Sequence, residues 1–162
     1  MNKQEIYEYL KREGIWHEIT EHKAVFTMAE ALSAELPYPE YDAKNLFVRD
    51  DKKRNYYLIT VSGSKKLNLK DFHRNNGTRK LSFASEEDLM GILGLIPGAV
   101  TPLGLLNDTE RKVTLFLDQD FLEEPGIIGV HPNENTATVW LKTSDLVDII
   151  RKHGNPVNIV PM

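Results

Sequence analysis

Apolar residues recur along this chain in two rhythms. Ile6, Tyr9 and Leu10 fall at helical spacing, as do Leu146, Val147, Ile149 and Ile150. Val113 to Leu117 alternates with the period of a half-buried strand, and Asn45–Arg49, Tyr56–Val61, Lys80–Ala84 and Val157–Val160 are further β-rich runs. The polar stretch Asp50–Asn55 joins two of these runs as a hairpin. Ile127–Val130 and Thr136–Leu141 read as another, with His131 to Asn135 at its tip. His17 to Glu21 also alternates like a strand.

Helix boundaries are written in cap chemistry. Asn2 with Glu5 forms a capping-box pattern, and Gly14 stops that helix. Thr27 with Glu30 repeats the pattern and predicts a helix over Met28–Leu36, ended by Pro37. Asn68 with Asp71 opens a short helix on which Lys70 and Arg74 share a face. Ser85 caps a segment whose early acids, Glu86, Glu87 and Asp88, suit the positive end of a helix, and Gly94 stops it. Ser144 is expected to cap the last helix, closed by Gly154. Short helices interleaved with hairpins predict an α+β fold, a mixed, largely antiparallel sheet flanked by helices, in a single domain over residues 1–162.

One stretch breaks the pattern. Leu89 to Asn107, LMGILGLIPGAVTPLGLLN, carries no charge in a chain that is 27% charged. As a membrane span it would be broken by Pro97 and Pro102, so no membrane association is expected. What remains is a buried apolar turn, or a site where backbone approaches a ligand. Glycine at position 98 permits close approach or a positive φ, and Pro102 fixes the far end. Between them the N–H groups of Ala99, Val100 and Thr101 could point outward as a small oxyanion nest.

Composition narrows the chemistry. There is no cysteine, which removes disulfides, thiolate catalysis and cysteine-ligated zinc and suits a reducing, cytoplasmic setting. The segment HEITEH, residues 17–22, imitates a zinc motif, but its histidines stand at i and i+5, not at the i and i+4 that share a metal; His22 could still line a pocket. Nucleophile elbows, phosphate loops and dinucleotide fingerprints are missing, so no metal and no cofactor are expected. An enzyme built on this chain must work by positioning and backbone dipoles.

The net charge of −4 argues against wholesale coating of nucleic acid. Local basic clusters nonetheless stand out: Lys52, Lys53 and Arg54, then Lys65, Lys66, Lys70, Arg74, Arg79 and Lys80, with His73 among them. These are either a solvated face or a polyanion contact. Lys44, between Ala43 and Leu46 at a strand start, is either a surface lysine or a partly buried ammonium that needs an anion. His131 is either exposed at its hairpin tip or a pocket wall.

Three segments in order, AKNLFVRDDKKRNYYL, PGAVTPLGLLND and GVHPNENTATVWL, resemble the YbaK/prolyl-tRNA-editing domain family, and most closely its freestanding ProX branch. The likeness runs from about Val25 to Ile150. It implies the curved sheet of the YbaK and synthetase-associated domains and a hydrolase that clears mischarged tRNA in trans, most directly alanine from tRNA for proline. Removal of cysteine, or binding without turnover, is the alternative.

Matched position by position, Lys44 resembles the family lysine that holds the 3′ end of the substrate, with Asn45 as its pocket neighbour. Gly98, Ala99, Val100, Thr101 and Pro102 resemble the loop whose backbone holds the ester and a water. His131 resembles the late histidine that positions the terminal nucleotide. Thr27 and His22 join Asn45 and His131 as substrate-binding candidates. In this family a terminal ribose hydroxyl is thought to assist attack, so no protein base is required. Lys65, Lys66, Lys70 and Arg74 are candidate tRNA contacts by charge alone. Association with prolyl-tRNA synthetase is one route to tRNA specificity.

Overall fold

The computed structural model describes residues 1–24 and 36–162. The helix expected over Met28–Leu36, and Thr27 with it, therefore lie outside the described residues or at their margin.

Among the described residues eight strands form two sheets. β1 (His17–Glu21), β7 (Ala137–Lys142) and β6 (Ile127–Val130) make an antiparallel three-stranded sheet in the order β1-β7-β6. β2 (Ala43–Asp50), β3 (Tyr56–Ser62), β4 (Leu81–Phe83), β5 (Val113–Asp118) and β8 (Val157–Val160) make the second sheet, in the order β4-β2-β3-β5-β8. Here β2 pairs antiparallel with β3 and β4, whereas β3–β5 and β5–β8 are parallel. A bridge between Asp42 and Gly129 joins the start of β2 to the middle of β6 and so ties the sheets together. The α+β class and the predominance of antiparallel pairing are as the pattern predicted; the division into two sheets was not.

Local chemistry explains the helices. α1 (Lys3–Arg12) has the complete capping box: the Asn2 side chain accepts from the Glu5 N–H, and Glu5 accepts from the Asn2 N–H. α2 (Leu69–Asn76) is capped by Asn68 and closed by Gly77 in the left-handed region. Ser85 caps the turn Glu86–Asp88, which continues as a π-helical turn, Leu89–Leu93, and ends at Gly94. α3 (Thr143–His153) starts one residue before the predicted cap. Lys142 occupies the cap position without a side-chain bond, and the Thr143 hydroxyl donates to the Phe121 carbonyl at 2.7 Å.

The main core lies between the sheets under α1 and α3, with Phe47, Leu58, Leu115, Leu117, Val130 and Val139 among its buried residues. A smaller core under α2 gathers Val48, Ile59, Phe72, Leu81 and Phe116. Close packing fixes β6 against β7. A Cβ at Gly129 would come within 2.3 Å of the Trp140 ring, so only glycine lets that indole lie over the strand. Among the described residues no helix is long and apolar enough to cross a membrane.

Candidate active site

The uncharged stretch resolves into three parts. After the π-helical turn, Ile96-Pro97-Gly98-Ala99 closes as a β-turn in which the Ala99 N–H donates to the Ile96 carbonyl at 3.1 Å. Gly98 has φ +88°. Proline at the second position and a positive φ at the third make this a type II turn, which only glycine or asparagine tolerates well. The chain then runs extended through Thr101 and enters a 3-10 helix, Pro102–Asn107. The reason is cap chemistry: the Thr101 hydroxyl accepts from the Leu103 N–H at 3.3 Å, and Pro102 at the first position has no N–H to leave unpaired.

The predicted nest is correspondingly smaller. Ala99 has spent its N–H on the turn, and Pro102 has none. Among the described residues, the N–H groups of Val100 and Thr101 have no acceptor. With the Gly98 N–H, which likewise has no acceptor among the described residues, they are the donors the loop can offer.

Thr101, fully buried, also donates its hydroxyl to the His131 carbonyl at 2.6 Å. That bond joins the loop to the end of β6. His131 is half-buried, and its Nδ1 lies 2.9 Å from the Ala137 carbonyl, closing the base of the hairpin. A carbonyl only accepts, so Nδ1 carries the proton and the neutral ring keeps Nε2 as an acceptor. Burial holds the imidazole below its ordinary value; the Ala137 bond opposes this, and the neighbouring His22 adds to the lowering.

His22 follows β1. Its ring meets His131 edge-on, with centroids 6.2 Å apart. Its Nδ1 is 2.8 Å from the Lys23 carbonyl and its Nε2 is 3.0 Å from Thr138 Oγ1. Both nitrogens are therefore engaged within the protein, and His22 is better placed to brace His131 than to bond a substrate directly.

Lys44 is half-buried near the start of β2, two residues beyond the bridge to Gly129. Its ammonium donates to the Lys65 carbonyl, and among the described residues it has no ion-pair partner. No hydrogen bond joins it to the Gly98–Pro102 loop; the link runs through the Asp42–Gly129 bridge and β6. Asn45 accepts from the Thr60 hydroxyl at 2.7 Å on the neighbouring strand.

The basic residues divide. Lys66, Lys70 and Arg74 are exposed and have no ion pair among the described residues. Lys65 does not belong with them. Its ammonium has three donors, and it meets three acceptor groups: Asp118 Oδ2 at 2.9 Å, Asp120 Oδ2 at 2.6 Å and the Met162 carbonyl at 2.9 Å. Its three protons are spent within the protein, which sets Lys65 apart from the exposed, unpaired lysines as a candidate phosphate contact. Arg79 is likewise held by Asp51.

Asp42 was not singled out from the sequence. Burial pushes its carboxyl up to about 6, against the opposing effects of His22 and the Ala43 N–H. A carboxyl raised in this way favours folding below its unfolded value and withdraws that contribution as pH rises through about 6. Discounted for partial exposure, Asp42→Asn is expected to stabilise the fold by about 1–2 kcal/mol near pH 7.5 and by almost nothing at about pH 3.5. Urea unfolding at both pH values checks this; equal gains at both would mean that ionisation is not the cause.

Residues 22–149 match the model of the aminoacyl-tRNA editing domain. The chain is 36% identical to the prolyl-tRNA editing protein ProX of Acetoanaerobium sticklandii, over 99% of this chain and 97% of that one. It is 35% identical to prolyl-tRNA synthetase associated domain-containing protein 1 of Danio rerio, over 93% and 82% of the two chains. A crystal structure of a candidate trans-editing enzyme for prolyl-tRNA synthetase superposes with a TM-score of 0.70 at 22% identity, over 99% of this chain and 96% of that one, a likeness of fold.

The chain belongs to the aminoacyl-tRNA editing domain family, in its YbaK/ProX group. It is a hydrolase, an aminoacyl-tRNA deacylase whose substrate is mischarged tRNA.

Proposed function

We propose that the enzyme acts in trans on alanine esterified to tRNA for proline, and that it holds the ester with main-chain amides. The Lys44 ammonium carries this reading: it is half-buried, bound to a neutral carbonyl and unpaired with any carboxylate among the described residues. An anion from the substrate, such as a phosphate near the 3′ end, would complete it. The N–H groups of Val100 and Thr101 then face the ester oxygen on which negative charge develops. His131, whose Nε2 has no partner among the described residues, would accept from a hydroxyl or amino group of the terminal nucleoside.

The reaction cleaves the bond between the amino acid's acyl carbon and the ribose oxygen. Water adds to the carbon, a neighbouring ribose hydroxyl assists its deprotonation, and the ribose oxygen leaves with a proton. A synthetase site rejects a smaller amino acid by only about 1–3 kcal/mol, which is why a second site that admits only small acyl groups is needed.

Charged tRNAs for proline bearing alanine, cysteine, serine or proline test the reading directly. Alanine should be released fastest and proline least. Preference for cysteine would move the enzyme to another substrate, and loss of none would leave a binding module. Raising salt from about 50 to about 200 mM should weaken tRNA binding steeply if Lys66, Lys70 and Arg74 meet phosphates. A flat response would remove those three residues from the interface. Adding prolyl-tRNA synthetase to the same assay tests partnership through any change in KM.

A further inference from the structure

Lys44 has a neutral acceptor, and the residue that supplies it is unusually constrained. The Lys65 carbonyl lies on the turn after β3, where the Lys65 N–H donates to the Ser62 carbonyl at 3.0 Å. One fully buried carboxylate grips both ends of that turn. Asp118 Oδ2 accepts the Ser62 N–H at 3.2 Å and lies 2.9 Å from the Lys65 ammonium, while Oδ1 accepts that ammonium at 3.2 Å and the Asp120 N–H at 3.1 Å. Asp120 and the Met162 carbonyl take the other two protons of the Lys65 ammonium. Burial works against that charge, and the bonds to Asp120 and Asp118 outweigh it.

We propose that Asp118 and Lys65 are positioning residues for Lys44: Asp118 locks the 62–65 turn, and the turn's carbonyl aims the Lys44 ammonium at the substrate. The proposal rests on the role given to Lys44 above. Its physical content is simple. A four-carbon side chain with a free ammonium samples many rotamers, and fixing them before the substrate arrives lowers the entropy lost on binding. A carbonyl is the fitting anchor because it orients the ammonium without neutralising it. A carboxylate in that place would compete with the phosphate.

The test pairs kinetics with a direct view of the side chain. Asp118→Asn and Lys65→Met are made in the wild type and in Lys44→Ala, and hydrolysis of alanyl-tRNA for proline is followed under single-turnover conditions alongside thermal melts. In the wild type each should slow hydrolysis roughly tenfold or more. In Lys44→Ala the further loss should be less than about twofold, because there is no ammonium left to aim. Lysine labelled with ¹³C at Cε gives a readout that a merely structural role would not move. The two Lys44 Hε protons, assigned by their loss in Lys44→Arg, should be resolved in the wild type and collapse together in Asp118→Asn. Equal losses in both backgrounds, or an unchanged Hε pair in a folded Asp118→Asn, would overturn the proposal. Should Asp118→Asn fail to fold, Lys65→Met carries the same two readouts. If Lys44→Ala itself hydrolyses at the wild-type rate, the role of Lys44 in the reaction is lost, and the NMR arm alone decides whether Asp118 holds its ammonium.

Discussion

Lys44→Ala should slow deacylation by about 100- to 1000-fold, the usual consequence of removing a preorganised charge that stabilises the transition state. The fold should barely register the change. Lys44 makes one hydrogen bond, to the Lys65 carbonyl, and is only half-buried, so water can take over that carbonyl at a cost of no more than about 1 kcal/mol. A residue that carried structural weight would show the opposite balance. Lys44→Arg should recover little. A guanidinium is broader and offers a fixed fork, whereas this position presents one carbonyl on one side and a substrate anion on the other. Single-turnover hydrolysis and a thermal melt on the three proteins decide the matter. A Lys44→Ala enzyme as fast as the wild type would remove the ammonium from the mechanism, whatever its stability.

The parts legible in the sequence are those decided within a few residues. Asn2, Asn68 and Ser85 cap where they were expected to, because each satisfies N–H groups two or three positions on. Gly94 and Gly154 close helices because each adopts a positive φ, which is cheapest for glycine. The choice of neighbours for β5 was not legible. It lies parallel to both β3 and β8, and those pairings are settled by which apolar faces meet in the core, not by local pattern. The cap at the last helix was misplaced for a similar reason: Thr143 turns its hydroxyl to Phe121, a contact from another element.

The site divides the same way. The motif around Gly98 and the late His131 could be singled out residue by residue, and the structure brings them together through Thr101. What could not be read was how each polar group is spent. Ala99 has a conspicuous place in the loop yet uses its N–H in the turn. Lys65 belongs to a basic cluster in sequence, but three acceptors drawn from distant residues consume it. Asp42 carried no signal at all, because its burial depends on the bridge to Gly129. Residue type announces a candidate; the partners that exhaust or free it come from tertiary contact.

Gly98→Val should cost about 100-fold in rate together with about 1–2 kcal/mol of stability, or roughly 2–8 °C in Tm. Both losses come from one cause. At φ +88° a β-branched side chain collides with its own backbone, and the turn must open to relieve it. Gly98 is exposed, and the strain argued here is in the dihedral. Opening frees the Ala99 N–H and swings the Val100 and Thr101 amides, which lie between that turn and the Thr101 bond to His131. Displacement of those donors by about 1 Å is enough for the expected rate loss. Gly98→Asn separates conformation from bulk, because asparagine accepts the left-handed region more readily. If conformation is what matters, Gly98→Asn keeps most of its melting temperature and a substantial part of its rate. If it melts normally yet hydrolyses as poorly as Gly98→Val, the side chain obstructs the ester and the amides are not displaced. A Gly98→Val enzyme that melts early but turns over normally would show that neither amide holds the reacting oxygen.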